Sequence, residues 1–154
     1  PPPPPPIGTL RFIRHITGDY DLAATVSDDG VISMQNTDPN NEYQWWHWST
    51  VNKSILNPKT GFYITWSPLT KNFITTTKIL ADPNNAAGWI ISQHPWYPSD
   101  PTQKVIGFAF DMRFYLKMVY LDKLKTKYLM LGTFDDATPF TTPTIIPNII
   151  PTKH

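Results

Sequence analysis

The 154-residue chain contains no cysteine. A disulfide framework, a thiol nucleophile and a thiolate metal site are therefore all excluded. Charged residues make up only 16%, against about 25% in an average soluble protein. The acids are eleven Asp and a single Glu, Glu42. Ala, Glu, Gln and Arg, which favour helix, are scarce, and no segment keeps an apolar 3.6-residue period over a dozen residues. Long helices are thus not expected. No apolar run approaches the roughly 18 residues of a membrane-spanning helix. Glycine occurs only seven times and forms no phosphate-cradling loop. A formal net charge of +1 supplies no long-range field for nucleic acid or acidic membranes.

What is abundant is proline, threonine and aromatic side chains, the last at 14%. Thr, Trp, Tyr and Phe favour strands, and proline punctuates them. Pro1–Pro6 is a polyproline II run that reads as the end of a linker. The chain begins with proline rather than methionine, as a processed or excised piece would. Pro139, Pro143, Pro147 and Pro151 recur every four residues, so residues 141–154 are expected as an extended proline-rich tail. The domain is then 7–140. Within it, short apolar runs alternate with turn signals such as Asp28-Asp29-Gly30 and Asn57-Pro58-Lys59-Thr60-Gly61. Many short strands with frequent turns indicate a β-sandwich or barrel.

The chain also repeats itself. Asp38-Pro39-Asn40-Asn41 recurs as Asp82-Pro83-Asn84-Asn85, and Trp45 and Trp89 each follow seven residues after the Asp. Upstream, Tyr20-Asp21-Leu22 matches Phe62-Tyr63-Ile64. Phe114-Tyr115-Leu116 starts a degraded third copy, with Asp135-Asp136 replacing the Asp-Pro turn. Two clear units and one weak one, each of about 40–50 residues and four strands, predict an all-β β-trefoil, with a two-hairpin duplication in another β-barrel as the alternative.

This pattern resembles the ricin-B-type β-trefoil lectins. It has an aromatic-x-aliphatic strand, a hairpin with Gly or Asn, an Asp-Pro loop, then a Gln-x-Trp strand. Gln44-Trp45-Trp46-His47-Trp48 carries the Gln-x-Trp form, and Ala87-Gly88-Trp89 repeats it with Ala for Gln. The resemblance implies a non-enzymatic, carbohydrate-binding module that is secreted, although a cysteine-free chain also suits the cytoplasm. It further implies glycan partners and, from the family's common use of the fold, a place as the receptor-binding part of a toxin or hemolysin. The proline-rich tails would join the module to a partner protein or subunit. One departure stands out. The family's sugar-binding Asp, near the end of a repeat's second strand, has no counterpart in Ala23-Ala24-Thr25-Val26 or Thr65-Trp66-Ser67. Two other readings remain open: a protease inhibitor acting through exposed loops, and a structural trefoil that binds only a partner protein.

Sugar recognition requires an aromatic surface for C–H faces, together with carboxamides or carboxylates for hydroxyls. Asp19, Asp21, Asn41, Tyr43, Gln44, Trp45 and His47 offer that set in the first repeat. Side chains two apart share a strand face, which predicts Trp46 and Trp48 facing the core and Trp45 and His47 facing outward. No cofactor is expected, and the four His lack metal-ligand spacing. Asp28-Asp29 and Asp135-Asp136 are adjacent in turns, so their carboxylates diverge rather than form a hydrolytic pair. Lys117, Lys123, Lys125 and Lys127 read as a solvated hairpin tip, and Asn52-Lys53-Ser54 fits a glycosylation acceptor.

Overall fold

A computed structural model describes residues 9–66, 73–78, 88–121 and 126–145. The second Asp-Pro-Asn-Asn turn, the turn at Pro68–Asn72, Lys123 and Lys125, both outer tails and the rest of the expected C-terminal segment lie outside them.

In the first unit, β1 (Leu10–Arg11) and β2 (Arg14–Ile16) lead to β3 (Asp21–Val26), β4 (Ile32–Asn36) and β5 (Trp46–Trp48). The second has β6 (Ile55–Asn57), β7 (Phe62–Trp66), β8 (Ile74–Thr77) and β9 (Trp89–Gln93). The third has β10 (Lys104–Phe108), β11 (Tyr115–Leu121), β12 (Thr126–Gly132) and β13 (Thr144–Ile145). The regular helices among the described residues are single 3-10 turns at Glu42–Gln44 and Phe134–Asp136.

The first and last strands of each unit close a six-stranded ring. β1 lies between β13 and β5, β5 pairs with β6, and β9 pairs with β10. The ring is completed by Trp89 N–H to the Lys53 carbonyl at 2.8 Å and by reciprocal backbone bonds between Lys104 and Phe140 at 2.7 and 2.8 Å. The middle strands form three hairpins, β3–β4, β7–β8 and β11–β12, that meet over one end of this barrel. There Met34 pairs with Lys127, and Phe73 with Met130. This is the expected β-trefoil.

The threefold repetition is visible in the core. Ile13, between β1 and β2, matches Ile55 of β6 and Ile106 of β10; Ala24, Ile64 and Leu116 come from β3, β7 and β11; Trp46 of β5 and Trp89 of β9 are matched by Phe140, ahead of β13. All are buried in one cluster. The Trp46 indole N–H donates to the Ala24 carbonyl, and that of Trp89 to the Ile64 carbonyl, each at 3.0 Å. These paired bonds align Ala24 with Ile64, and so Leu22 rather than Tyr20 with Phe62. Tyr20 lies just before β3, in the turn that the Thr17 hydroxyl holds by accepting from its N–H. The Phe140 ring has no side-chain N–H to place, in keeping with the degraded third repeat.

Residues 141–145 depart from the expected tail. Thr141 pairs with Arg14, the Pro143 carbonyl accepts from Phe12 N–H, and Ile145 is buried opposite Leu10. The prolines do not prevent this, because their carbonyls still accept and proline is tolerated where no ladder N–H is required. β6 was also not anticipated from the sequence; its short Ile55-Leu56-Asn57 run lies against the stronger turn signal that follows.

Trp46 is fully buried, and Trp48 packs half-buried against the same core, as the strand period predicts. Trp45 points to the other face but is not bare. It packs half-buried on a small cluster of Phe12, Ala23 and Ile145, and its N–H donates to the Pro39 carbonyl at 3.2 Å. His47 also departs from its expected outward exposure: it is only 8% exposed. β5 is a central strand, and Leu10 and Leu56 stand directly opposite His47 on either side.

Gly30 closes the first hairpin at φ +84°. A Cβ there would come within 2.9 Å of Phe62 and of the Thr76 hydroxyl, whose proton goes to the Gly30 carbonyl. Gly30→Ala is expected to cost about 2–3 kcal/mol, from backbone strain and the steric clash, measurable by urea denaturation. Trp46→Ala should cost about 3–5 kcal/mol. Trp45→Ala should cost roughly 1–2 kcal/mol, since only part of its surface and one hydrogen bond are lost. Equal losses for the two Trp variants would contradict the two-face assignment of β5.

Candidate functional site

The Asp-Pro turn and the 3-10 turn after it form a rigid loop. Asn41 caps the 3-10 turn, its side-chain oxygen accepting from Tyr43 N–H at 3.1 Å. The Asp38 carboxylate accepts from Asn40 N–H at 3.0 Å. Gln44 is fully buried beneath the loop. Its oxygen accepts from Asp38 N–H at 2.9 Å, and its NH2 donates to the Asn36 carbonyl and the Thr25 hydroxyl at 2.9 and 3.1 Å. From the neighbouring unit, buried Asn57 donates to the Glu42 and Trp45 carbonyls, both at 2.9 Å. Two buried carboxamides thus satisfy the backbone groups that an irregular loop would otherwise leave unpaired.

Between this loop, β4 and the start of β12 lies a cleft of about 750 Å³. Gln35, Asn36, Thr37, Asp38, Asn41 and Lys127 are among its walls, with Leu22 and Met34 also contributing. Gln35, Asn36 and Asp38 are exposed. Lys127 sits over the Tyr20 ring at 4.4 Å and over Tyr120 at 5.0 Å, which holds its ammonium in place by cation–π attraction. Its described lining therefore presents carboxamides, the hydroxyls of Thr37 and Thr126, one carboxylate and one ammonium on a preformed frame.

The residues expected from the sequence divide sharply. Asn41 lines the cleft directly. Gln44 borders it but has its side-chain polar atoms engaged in the frame. Asp21 forms a two-pronged pair with the Arg14 guanidinium and accepts from the Thr37 hydroxyl at 2.7 Å. Arg14, ahead of Thr37, holds the Asp21 carboxyl below the ordinary 3.8. Asp21 thus acts through Thr37, anchoring that cleft residue. The Tyr43 hydroxyl donates to the Asp28 carboxylate at 3.1 Å, which raises its pKa. Asp19 is exposed in the Thr17–Tyr20 turn, where Thr17 Oγ1 accepts from its N–H. Trp45 and His47 lie on the outer face of β5. Gln35, Asn36, Thr37 and Asp38 were missed as a group. Their signal was a polar run leading straight into the Asp-Pro turn.

Among the described residues, no group of three or more His, Asp or Glu is arranged to hold a metal ion. No helix among them is long and apolar enough to cross a membrane.

No family model matches the chain, and no curated protein matches it in sequence. Solved structures do match. The C-terminal half of an earthworm R-type lectin in complex with GalNAc is similar at 15% identity and a TM-score of 0.60, over 88% of this chain and 98% of that one. A mutant of the earthworm lectin C-terminal domain in complex with 6'-sialyllactose is similar at 14% identity and a TM-score of 0.62, over the same shares, 88% and 98%. A mosquitocidal holotoxin is similar at 15% identity and a TM-score of 0.63, over 89% of this chain but 17% of its own. At such identities the likeness is one of fold. The chain has the β-trefoil fold of the ricin-B-type lectins.

His47 titrates in a way its burial determines. Desolvation lowers its pKa below 6.5, and its Nδ1 is buried without a partner among the described residues. The unfolded chain thus binds this proton more readily than the native one. Stability should be complete above about 6.5 and decline as the pH falls below it. Thermal melts between about pH 7 and pH 5 should show this decline, and His47→Gln should flatten it. An unchanged slope in the variant would show that His47 is not the group responsible.

Proposed function

We propose that the protein is a secreted, non-enzymatic carbohydrate-binding module whose cleft beside the first Asp-Pro loop binds a neutral sugar. The observation that carries this reading is the preformed polar cleft itself. Its directed carboxamide and carboxylate groups suit vicinal hydroxyls. Asn36 offers its exposed carboxamide, Asp38 its carboxylate, and Asn41 its amide NH2 beside the capping oxygen. Lys127, held on the Tyr20 ring, brings its ammonium to the cleft wall as a donor for a sugar oxygen. Asp38 is the one carboxylate among the described lining residues, whereas glycoside hydrolysis ordinarily requires two. This supports binding over catalysis.

The similar earthworm structures hold GalNAc and 6'-sialyllactose. The holotoxin contains this fold as a small share of a long chain. That arrangement supports the further reading that this module serves as the glycan-directed part of a toxin, joined to another component through its proline-rich ends.

A neutral-glycan array, followed by titration calorimetry on the best hit, tests the proposal. Asn36→Ala and Asp38→Asn should each weaken binding about tenfold, the value of roughly one good hydrogen bond, with melting temperature nearly unchanged. An array without hits, or full affinity in both variants, would overturn the assignment of this cleft.

A further inference from the structure

We propose that the open end of the barrel, opposite the hairpins, is a second binding site, and that it takes a sulfated oligosaccharide. A cleft of about 570 Å³ opens there, walled by β1, β5, β9, β10 and the run into β13. That volume suits one or two sugar rings. Three cationic side chains, Arg11, Lys53 and Lys104, reach it, and no carboxylate is among its described lining residues. None of the three forms an ion pair among the described residues. Arg11 is steadied by donation to the Thr142 carbonyl at 2.8 Å. Arg14, in the adjoining groove, is neutralised by Asp21 and adds no free charge. Ser49 and Thr50 bring hydroxyls, and half-buried Trp48 brings an aromatic wall. The site therefore combines three positive charges that form no ion pair among the described residues with the aromatic and hydroxyl groups that suit a sugar ring.

A second observation comes from the backbone. Lys53 has φ +60°, the one non-glycine residue with positive φ among those described. Glycine or asparagine occupies such positions more easily, and lysine is held there at a cost in strain. The strained residue is the one that carries a charge to the rim of the cleft. The Lys53 carbonyl meanwhile accepts from Trp89 N–H and closes the barrel ring, so the strained turn is built into the wall of the site.

The formal net charge of +1 argues against a nucleic-acid backbone as the occupant. Such polymers are drawn by a broad basic field, and here the positive charge is local. Sulfate groups on a short sugar chain present separated anionic charges with hydroxyls between them, matching cations spread over two strands and a turn. This site is distinct from the neutral-sugar cleft and does not rest on it.

A heparin-derived tetrasaccharide, its desulfated counterpart, inorganic sulfate and a single-stranded oligonucleotide are titrated into the full chain at low salt. The sulfated tetrasaccharide is expected to bind, to weaken as salt rises, and to outcompete the other three probes. Lys53→Gly should weaken it roughly tenfold and leave melting temperature unchanged or higher, because the left-handed strain is relieved. Lys104→Gln, whose backbone stays undisturbed, should weaken it similarly and serves if the glycine variant folds poorly. Asn36→Ala, in the other cleft, should change nothing in this titration. Equal binding of the desulfated sugar, of inorganic sulfate or of the oligonucleotide would overturn the proposal. Full affinity in the folded Lys variants would also overturn it.

Discussion

The indoles of Trp46 and Trp89 each send an N–H to a carbonyl in the second strand of their own unit. A buried indole N–H without a partner costs free energy. Each of these bonds therefore ties a barrel strand to the hairpin above it, at the centre of the core. The isoleucines from the first strands pack around this tie, and the barrel and its cap of hairpins become one cooperative body. In the third unit Phe140 takes the central position by packing alone. Its tie to the barrel is made instead by backbone bonds to Lys104.

The loop that shapes the polar cleft depends on this frame through buried carboxamides. Gln44 reaches from the 3-10 turn to β3 and to the end of β4, while Asn57 reaches in from the next unit. An Asp-Pro loop without these partners would leave its own carbonyls and N–H groups unpaired. Rigidity matters for the proposed function, because a sugar bound through a few hydrogen bonds leaves little free energy to order a mobile loop. Glutamine of the Gln-x-Trp pattern thus acts by holding the binding groups of other residues in place.

The trefoil gives the molecule two unlike ends. Where the hairpins meet, polar side chains of the first unit gather beside Lys127 of the third. At the open end, Arg11 and Lys104 from two strands and Lys53 from a turn gather, with no acid among the described lining residues. Neither grouping is local in sequence. Arg11 and Lys104 come together because the first strands of the first and third units flank the run into β13 in the closed ring.

The repeated Asp-Pro-Asn-Asn turn, the short aromatic strands and the lack of helix formers made the three-unit β architecture legible in the linear chain, since hydrophobic period and turn chemistry are local properties. The same period placed Trp46 and Trp48 on the core face. What it left open was the other face of β5. An outward side chain is exposed only if nothing covers it, and Leu10, Leu56, Phe12 and Ile145 arrive from elsewhere in the chain. The fate of residues 141–145 was likewise a tertiary decision, because a proline-spaced segment becomes a strand only when a partner such as β1 is waiting. So it was with the candidate site: the sequence identified residue types suited to sugar in the first repeat, while the folded chain decided which remained free. Asp21, Tyr43 and Gln44 were engaged by Arg14, Asp28 and the loop backbone, and Asn36, Asp38 and Asn41 were left lining a cleft. Long-range pairing consumes hydrogen-bonding capacity, and only the three-dimensional arrangement shows where that capacity is left over.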